Sequence, residues 1–182
     1  MAAVDHDAVI LAGGEARRFG GADKPGALVG GRSLIARVAS AVPDATRLIV
    51  VGPVRTDLPT ALFVREDPPG GGPIPALRAG LAQVRAPRLA LLAADLPFLR
   101  HAQVRMLIEA ADAVLVDPSG RDQWLTGAWC TDRLREALDR YNGASLRGLL
   151  GPLNPVRVPV ADDWFDCDTL ADLDRARAIE ET

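Results

Sequence analysis

Residues 11–25 of this chain, LAGGEARRFGGADKP, gather four glycines, two arginines and a lysine directly after the apolar run Asp7-Ala8-Val9-Ile10. An apolar run closed by a glycine turn reads as a buried parallel strand. The loop after it suits polyphosphate. Glycine lets backbone N–H groups come close to phosphate oxygens, and cations neutralise them. Arg17 and Arg18 can each grip a phosphate through two N–H groups at once, whereas Lys24 offers a point charge. A solvated basic turn has the same composition. Position separates the two, because ligands of open α/β sheets bind beyond the carboxyl ends of the strands. Two familiar phosphate loops are absent: no G-x-x-x-x-G-K-[ST] occurs, and no G-x-G-x-x-G follows a strand.

Several carboxylates stand at comparable places. Asp95 comes directly after the apolar run 89–94 and before Leu96-Pro97. Two roles suit it there, a ligand to a divalent cation that bridges phosphate oxygens or a cap for the following turn. Asp166 and Asp168 alternate within Phe165-Asp166-Cys167-Asp168-Thr169, so on an extended segment they share one face. Asp168 is also placed to cap the last helix. Asp67 ends a strand beside Pro68–Pro73, a loop whose prolines and glycines suit either close approach to a flat base or a simple turn.

The elements that must carry these residues alternate in type. Strands are predicted at 7–10, 48–51 (ending at Gly52-Pro53), 61–64, 89–94, 113–116, 123–129 and 156–158. Helices are predicted at 33–39, with Ser33 as cap, then at 74–84, 102–110, 132–141, 146–150 and 170–179. Alternating strands and helices imply a mostly parallel sheet covered on both faces. The 89–94 run, apolar at every position, reads as a central strand. Trp124 and Trp129 fall on one strand, where tryptophan is more often core than a stacking platform.

The 182 residues suit one domain. A net charge of −3 and a pI near 5.4 exclude nucleic acid and anionic membrane as obvious partners. Cys130 and Cys167 form no C-x-x-C, and with His6 and His101 they match no structural zinc spacing. Residues 1–7 have no signal-type pattern, and no apolar run approaches membrane-spanning length, so a cytoplasmic protein is expected.

L-A-G-G-x-x-R-R-x-G-G-x-D-K resembles the opening signature of molybdenum cofactor guanylyltransferases, within a wider nucleotidyltransferase family of Rossmann-like fold. Further likeness falls at 66–73, 95–97 and 165–169. The resemblance implies a three-layer α/β/α sandwich like that of nucleotide-diphospho-sugar transferases, with one nucleotidyltransferase domain over 1–182. It also implies transfer of GMP from Mg²⁺-bound GTP to the terminal phosphate of molybdopterin or its molybdenum form. On this basis the nucleotide contacts are Leu11, Ala12, Gly13, Gly14, Lys24, Gly52, Asp67, Gly72 and Asp95. Lys24, Arg18 and Asp95 are the catalytic set. Asp95 matches the magnesium aspartate of the D-x-P motif, and Asp168 is a second metal contact. Asp166 and Asp168 depart from the family pattern, since many guanylyltransferases carry asparagine at both places. Arg147 is a candidate contact to the acceptor phosphate, and Trp124 and Trp129 fall on the strand that faces the pterin. Two alternatives stand beside this reading. One is another transferase of the same fold, using CTP or accepting a sugar or other cofactor phosphate; cytidylyl relatives usually read L-A-A-G. The other is a non-catalytic nucleotide-binding module.

Overall fold

The computed structural model describes residues 4–13, 21, 23–160 and 164–181. Along the chain run β1 (His6–Leu11), a short hairpin of β2 (Leu28–Val29) and β3 (Arg32–Ser33), α1 (Leu34–Ser40), β4 (Leu48–Val51) and β5 (Leu62–Val64). There follow α2 (Pro73–Leu81), β6 (Arg88–Ala93), α3 (His101–Ala110), β7 (Ala113–Val116) and β8 (Asp122–Cys130). The chain continues with α4 (Thr131–Arg140), α5 (Leu146–Leu150), a 3₁₀ turn at Gly151–Leu153, β9 (Val156–Pro159) and α6 (Leu170–Glu180).

The main sheet has the order β5-β4-β1-β6-β8-β7-β9. β5, β4, β1 and β6 pair in parallel, β8 runs antiparallel to both β6 and β7, and β7 pairs in parallel with β9. Alternation along the central strands divides their side chains between two cores. Ala8 and Ile10 of β1, with Ala90 and Leu92 of β6, pack with Ile35 and Val38 of α1 and Val104 and Leu107 of α3. Val9, Leu11, Leu89 and Leu91 pack on the opposite face with Leu77 and Leu81 of α2, Leu134 of α4 and Leu149 of α5. These are the two faces of an α/β/α sandwich. Helix α2 sits so close to the sheet that a Cβ on Gly80 would stand 2.6 Å from Val9 Cγ1.

Register then builds a shared edge. Leu11 lies opposite both Val51 of β4 and Ala93 of β6. Consequently the residues just beyond these strands, Ala12-Gly13, Gly52 and Ala94-Asp95, emerge side by side at the carboxyl end of the sheet.

The predicted caps are informative. Ser33 caps α1, its Oγ accepting from the Ala36 amide at 3.2 Å. The cap of α6 is Thr169, not Asp168: Thr169 Oγ1 accepts from the Asp172 amide at 3.2 Å, and the Asp172 carboxylate accepts from the Thr169 amide at 2.8 Å. That reciprocal box leaves the Asp168 carboxylate outside the cap. Helix α6 packs beneath the β2–β3 hairpin through Val29, Leu34, Cys167, Leu173 and Ala176.

Candidate active site

Lys24, Asp95 and Asp168 converge beyond the carboxyl end of β6. Lys24 Nζ lies 2.6 Å from Asp95 Oδ2 and 3.0 Å from Asp168 Oδ1. Each residue arrives on a different support. Lys24 opens a turn closed by the Ala27 amide, which donates to Lys24 O at 3.1 Å. Asp95 follows β6 after a single residue. The Cys167 amide donates to Asp95 O at 3.0 Å and draws segment 165–168 onto the strand end. Phe165 anchors that segment, with its ring 5.7 Å from Phe98 and under the Arg175 guanidinium at 4.4 Å. Cys167 is fully buried, and burial above all pushes its thiol up to about 12. Asp166 is half-buried on the other side of the alternation.

Charge in this cluster is out of balance. Burial pushes the Asp95 carboxyl above its ordinary range, against the pull of Lys24 and with help from Asp168. Burial also raises Asp166, and Asp168 adds to it. Burial opposes the charge on Lys24, but Asp95 and Asp168 outweigh it and hold the ammonium above its ordinary range. Three carboxylates thus gather near one ammonium. Oxygen ligands with surplus negative charge are the kind that hard divalent cations take. Among the described residues no group of three or more His, Cys, Asp or Glu side chains forms a metal cage.

One cavity reaches the cluster at Lys24, and a second shares Gly13, Glu66 and Gly70 with the first. The first, of about 480 Å³, is lined by Ala12, Gly13, Lys24, Gly52, Arg55 and Glu66 among others. The second, of about 430 Å³, is lined by Leu11, Gly13, Glu66, Gly70, Gly72, Pro73, Ala76 and Leu125. Gly52 has to be small, since a Cβ there would stand 3.2 Å from the carbonyl carbon and oxygen of Ala12. Gly72 precedes α2 with φ at +92°, a conformation that favours glycine, and Pro73 opens the helix.

Most of the predicted nucleotide contacts therefore meet at one edge. Leu11, Ala12, Gly13, Lys24, Gly52 and Gly72 each line one of these cavities, and Asp95 lines neither but touches Lys24. Gly14, Arg17 and Arg18 lie outside the described residues. Asp67 does not join the others, being exposed and lining neither cavity. Its neighbour Glu66, which the sequence reading passed over, lines both. Glu66 Oε1 accepts from the Gly70 amide at 3.2 Å and would lie 3.2 Å from a Cβ on Gly13. No burial period in β5 foretells this, since Leu62 is exposed and both Phe63 and Val64 are half-buried; past the strand Glu66 is half-buried while Asp67 is exposed. Trp129 is fully buried in the core and Trp124 packs against the same cluster. Arg147 is exposed on α5 and lines neither cavity.

Residues 8–157 match the MobA-like NTP transferase domain family. A molybdenum cofactor guanylyltransferase of Rhodopseudomonas palustris (strain BisB5) is 32% identical over 209 residues, covering 98% of this chain and 97% of the relative. Another, from Bradyrhizobium sp. (strain ORS 278), is 35% identical across 71% of this chain and 68% of the relative. Among solved structures, a nucleotidyl transferase from Methanothermobacter thermautotroptrophicus superposes with a TM-score of 0.79 at 21% identity, covering 97% of this chain and 98% of that one. This last likeness is one of fold. The family match and the two aligned relatives together show that the chain belongs to the MobA-like NTP transferase family.

Proposed function

We propose that this protein is a molybdenum cofactor guanylyltransferase, which moves GMP from GTP to the terminal phosphate of molybdopterin, with or without molybdenum, and releases pyrophosphate. The observation that carries this reading is Lys24 held between Asp95 and Asp168 beyond the strand that feeds the glycine loop. Gly13 is exposed, which leaves its backbone accessible to a phosphate oxygen. An acceptor phosphate oxygen attacks the α-phosphorus and forms a new P–O bond. The bond from that phosphorus to the oxygen bridging the β-phosphate breaks, and its electron pair leaves with pyrophosphate. The acceptor oxygen is already anionic, so no side chain has to remove a proton from it. Lys24 neutralises charge gathering on the departing pyrophosphate, a role for which its ammonium is kept protonated by the neighbouring carboxylates. Asp95 and Asp168 would hold Mg²⁺, which would supply positive charge to offset that of the phosphates. Positioning and charge neutralisation supply the catalysis.

The whole of residues 1–182 is read as one nucleotidyltransferase domain in a cytoplasmic setting. The free thiols of Cys130 and Cys167 support that setting. Among the described residues no helix is long and apolar enough to cross a membrane.

Calorimetric titration with magnesium nucleotides tests the base. GTP should bind at least ~10-fold more tightly than CTP or ATP, a difference of about 1.4 kcal/mol. Equal affinities, or a preference for CTP, would contradict the guanylyl assignment.

A further inference from the structure

Asp23 and Arg55 meet at the wall of the 480 Å³ cavity, one residue before Lys24 and four residues beyond β4. Arg55 Nη1 donates to Asp23 Oδ2 at 2.8 Å and Nη2 donates to Oδ1, so the pair is bidentate. We propose that Arg55 and Asp23 are positioning residues, whose ion pair clamps the turn carrying Lys24 and so sets where its ammonium stands during transfer. The inference rests on the guanylyl-transfer reading.

Three observations support the clamp. First, its two ends differ in freedom. The Arg55 side chain is 11% exposed in the loop after β4, whereas Asp23 is 60% exposed. A two-pronged guanidinium fixes both distance and plane, which a single ammonium does not. Asp23 is thereby tied to the sheet and held in its charged form, since the Arg55 hydrogen bond pulls its carboxyl below the usual range.

Second, Lys24, Pro25, Gly26 and Ala27 form the turn closed by the Ala27 amide, and the Ile35 amide at the start of α1 donates to Pro25 O at 3.0 Å. Glycine in the third position of such a turn is commonly required by a positive φ. Gly26 is not among the glycines with positive φ. A Cβ there would instead run into Asp23 Oδ2 and stand 2.9 Å from Arg55 Nη1. The ion pair lies directly over Gly26, so a side chain there would have to displace the Asp23 and Arg55 side-chain ends. Clamp and turn are therefore fitted to each other.

Third, stability is a weak reason for such a pair. Ion pairs with one partner this exposed contribute little to stability. Geometry is a stronger one, because a shift of about 1 Å in a charged group at a reacting centre can cost on the order of 100-fold in rate.

The test compares Arg55→Lys, Asp23→Asn and Gly26→Ala in the full chain. It uses single-turnover GMP transfer to molybdopterin at saturating GTP, calorimetric GTP affinity and the thermal unfolding midpoint. Each variant should slow transfer by at least ~10-fold while GTP affinity changes less than about threefold. Gly26→Ala combined with Arg55→Lys should be no slower than the slower single variant, because both break the same contact. The proposal is overturned if Arg55→Lys weakens GTP binding while Asp23→Asn and Gly26→Ala transfer at the wild-type rate, since Arg55 would then contact the triphosphate itself. It is equally overturned if the losses follow only a fall in folded fraction. A wild type that binds GTP but transfers nothing ends the guanylyl-transfer reading. A working wild type with fully active variants ends the clamp alone.

Discussion

Asp95 joins burial, negative charge and contact with Lys24 in one side chain, which makes its substitution the most informative single change. Asp95→Asn keeps the shape and removes the charge. Turnover should fall by about 100-fold or more with the fold intact by circular dichroism. Near-normal turnover with unchanged magnesium dependence would reduce Asp95 to a structural partner of Lys24. The base site offers a second contrast. Guanine presents its N1–H and 2-amino donors together, a pattern that a carboxylate accepts. Glu66 lines both cavities and Asp67 lines neither, so Glu66→Gln should erase most of a preference for GTP over ITP, which lacks the 2-amino group. Asp67→Asn should leave that preference alone. The opposite pattern would return the role to Asp67. Resemblance drew attention to the Glu66-Asp67 pair, but which of two adjacent carboxylates faces inward is set by the path of the loop after β5, which has no local code.

At the scale of elements, β1 positions the site and is itself held from below. Asp7 is 1% exposed, and its Oδ2 accepts from the Arg85 amide at 2.7 Å and the Ala86 amide at 3.1 Å. It thus ties the start of β1 to the approach to β6. Asp7→Ala orphans two amides that are sheltered from water and should cost about 2–3 kcal/mol in urea unfolding. A loss below about 0.5 kcal/mol would mean that water replaces the carboxylate there, as at an ordinary surface site. The strands themselves were legible because burial on both faces forces an unbroken apolar run, as in 89–94, and Ser33 was legible as a cap because its chemistry is local. The β2–β3 hairpin was not, since two residues per strand carry no period. Asp168 appeared able to cap α6, and only the reciprocal bonds of Thr169 and Asp172 free it for the site. The Asp23–Arg55 pair spans 32 residues, and although Asp23 stands in the opening signature, nothing local in the sequence names Arg55 as its partner.

Across the whole molecule, the sheet order puts the ends of β4, β1 and β6 next to one another, and the 165–168 segment returns from the far end of the chain to complete the edge. The convergence of Lys24, Asp95 and Asp168 is a property of that topology. Sequence could name the three residues, but their distances follow from a register that has no local code. The central claim is that this convergence catalyses nucleotidyl transfer and does more than retain a nucleotide. Single-turnover GMP transfer from saturating Mg-GTP to molybdopterin, compared between wild type and Lys24→Ala, addresses it most directly. The wild type should yield the guanine dinucleotide and pyrophosphate in equal amounts. Lys24→Ala should be slower by about 100-fold or more, with a smaller loss in GTP affinity, because the ammonium acts on charge that develops only as pyrophosphate departs. A Lys24→Ala protein that matches the wild-type rate at saturation would contradict the account.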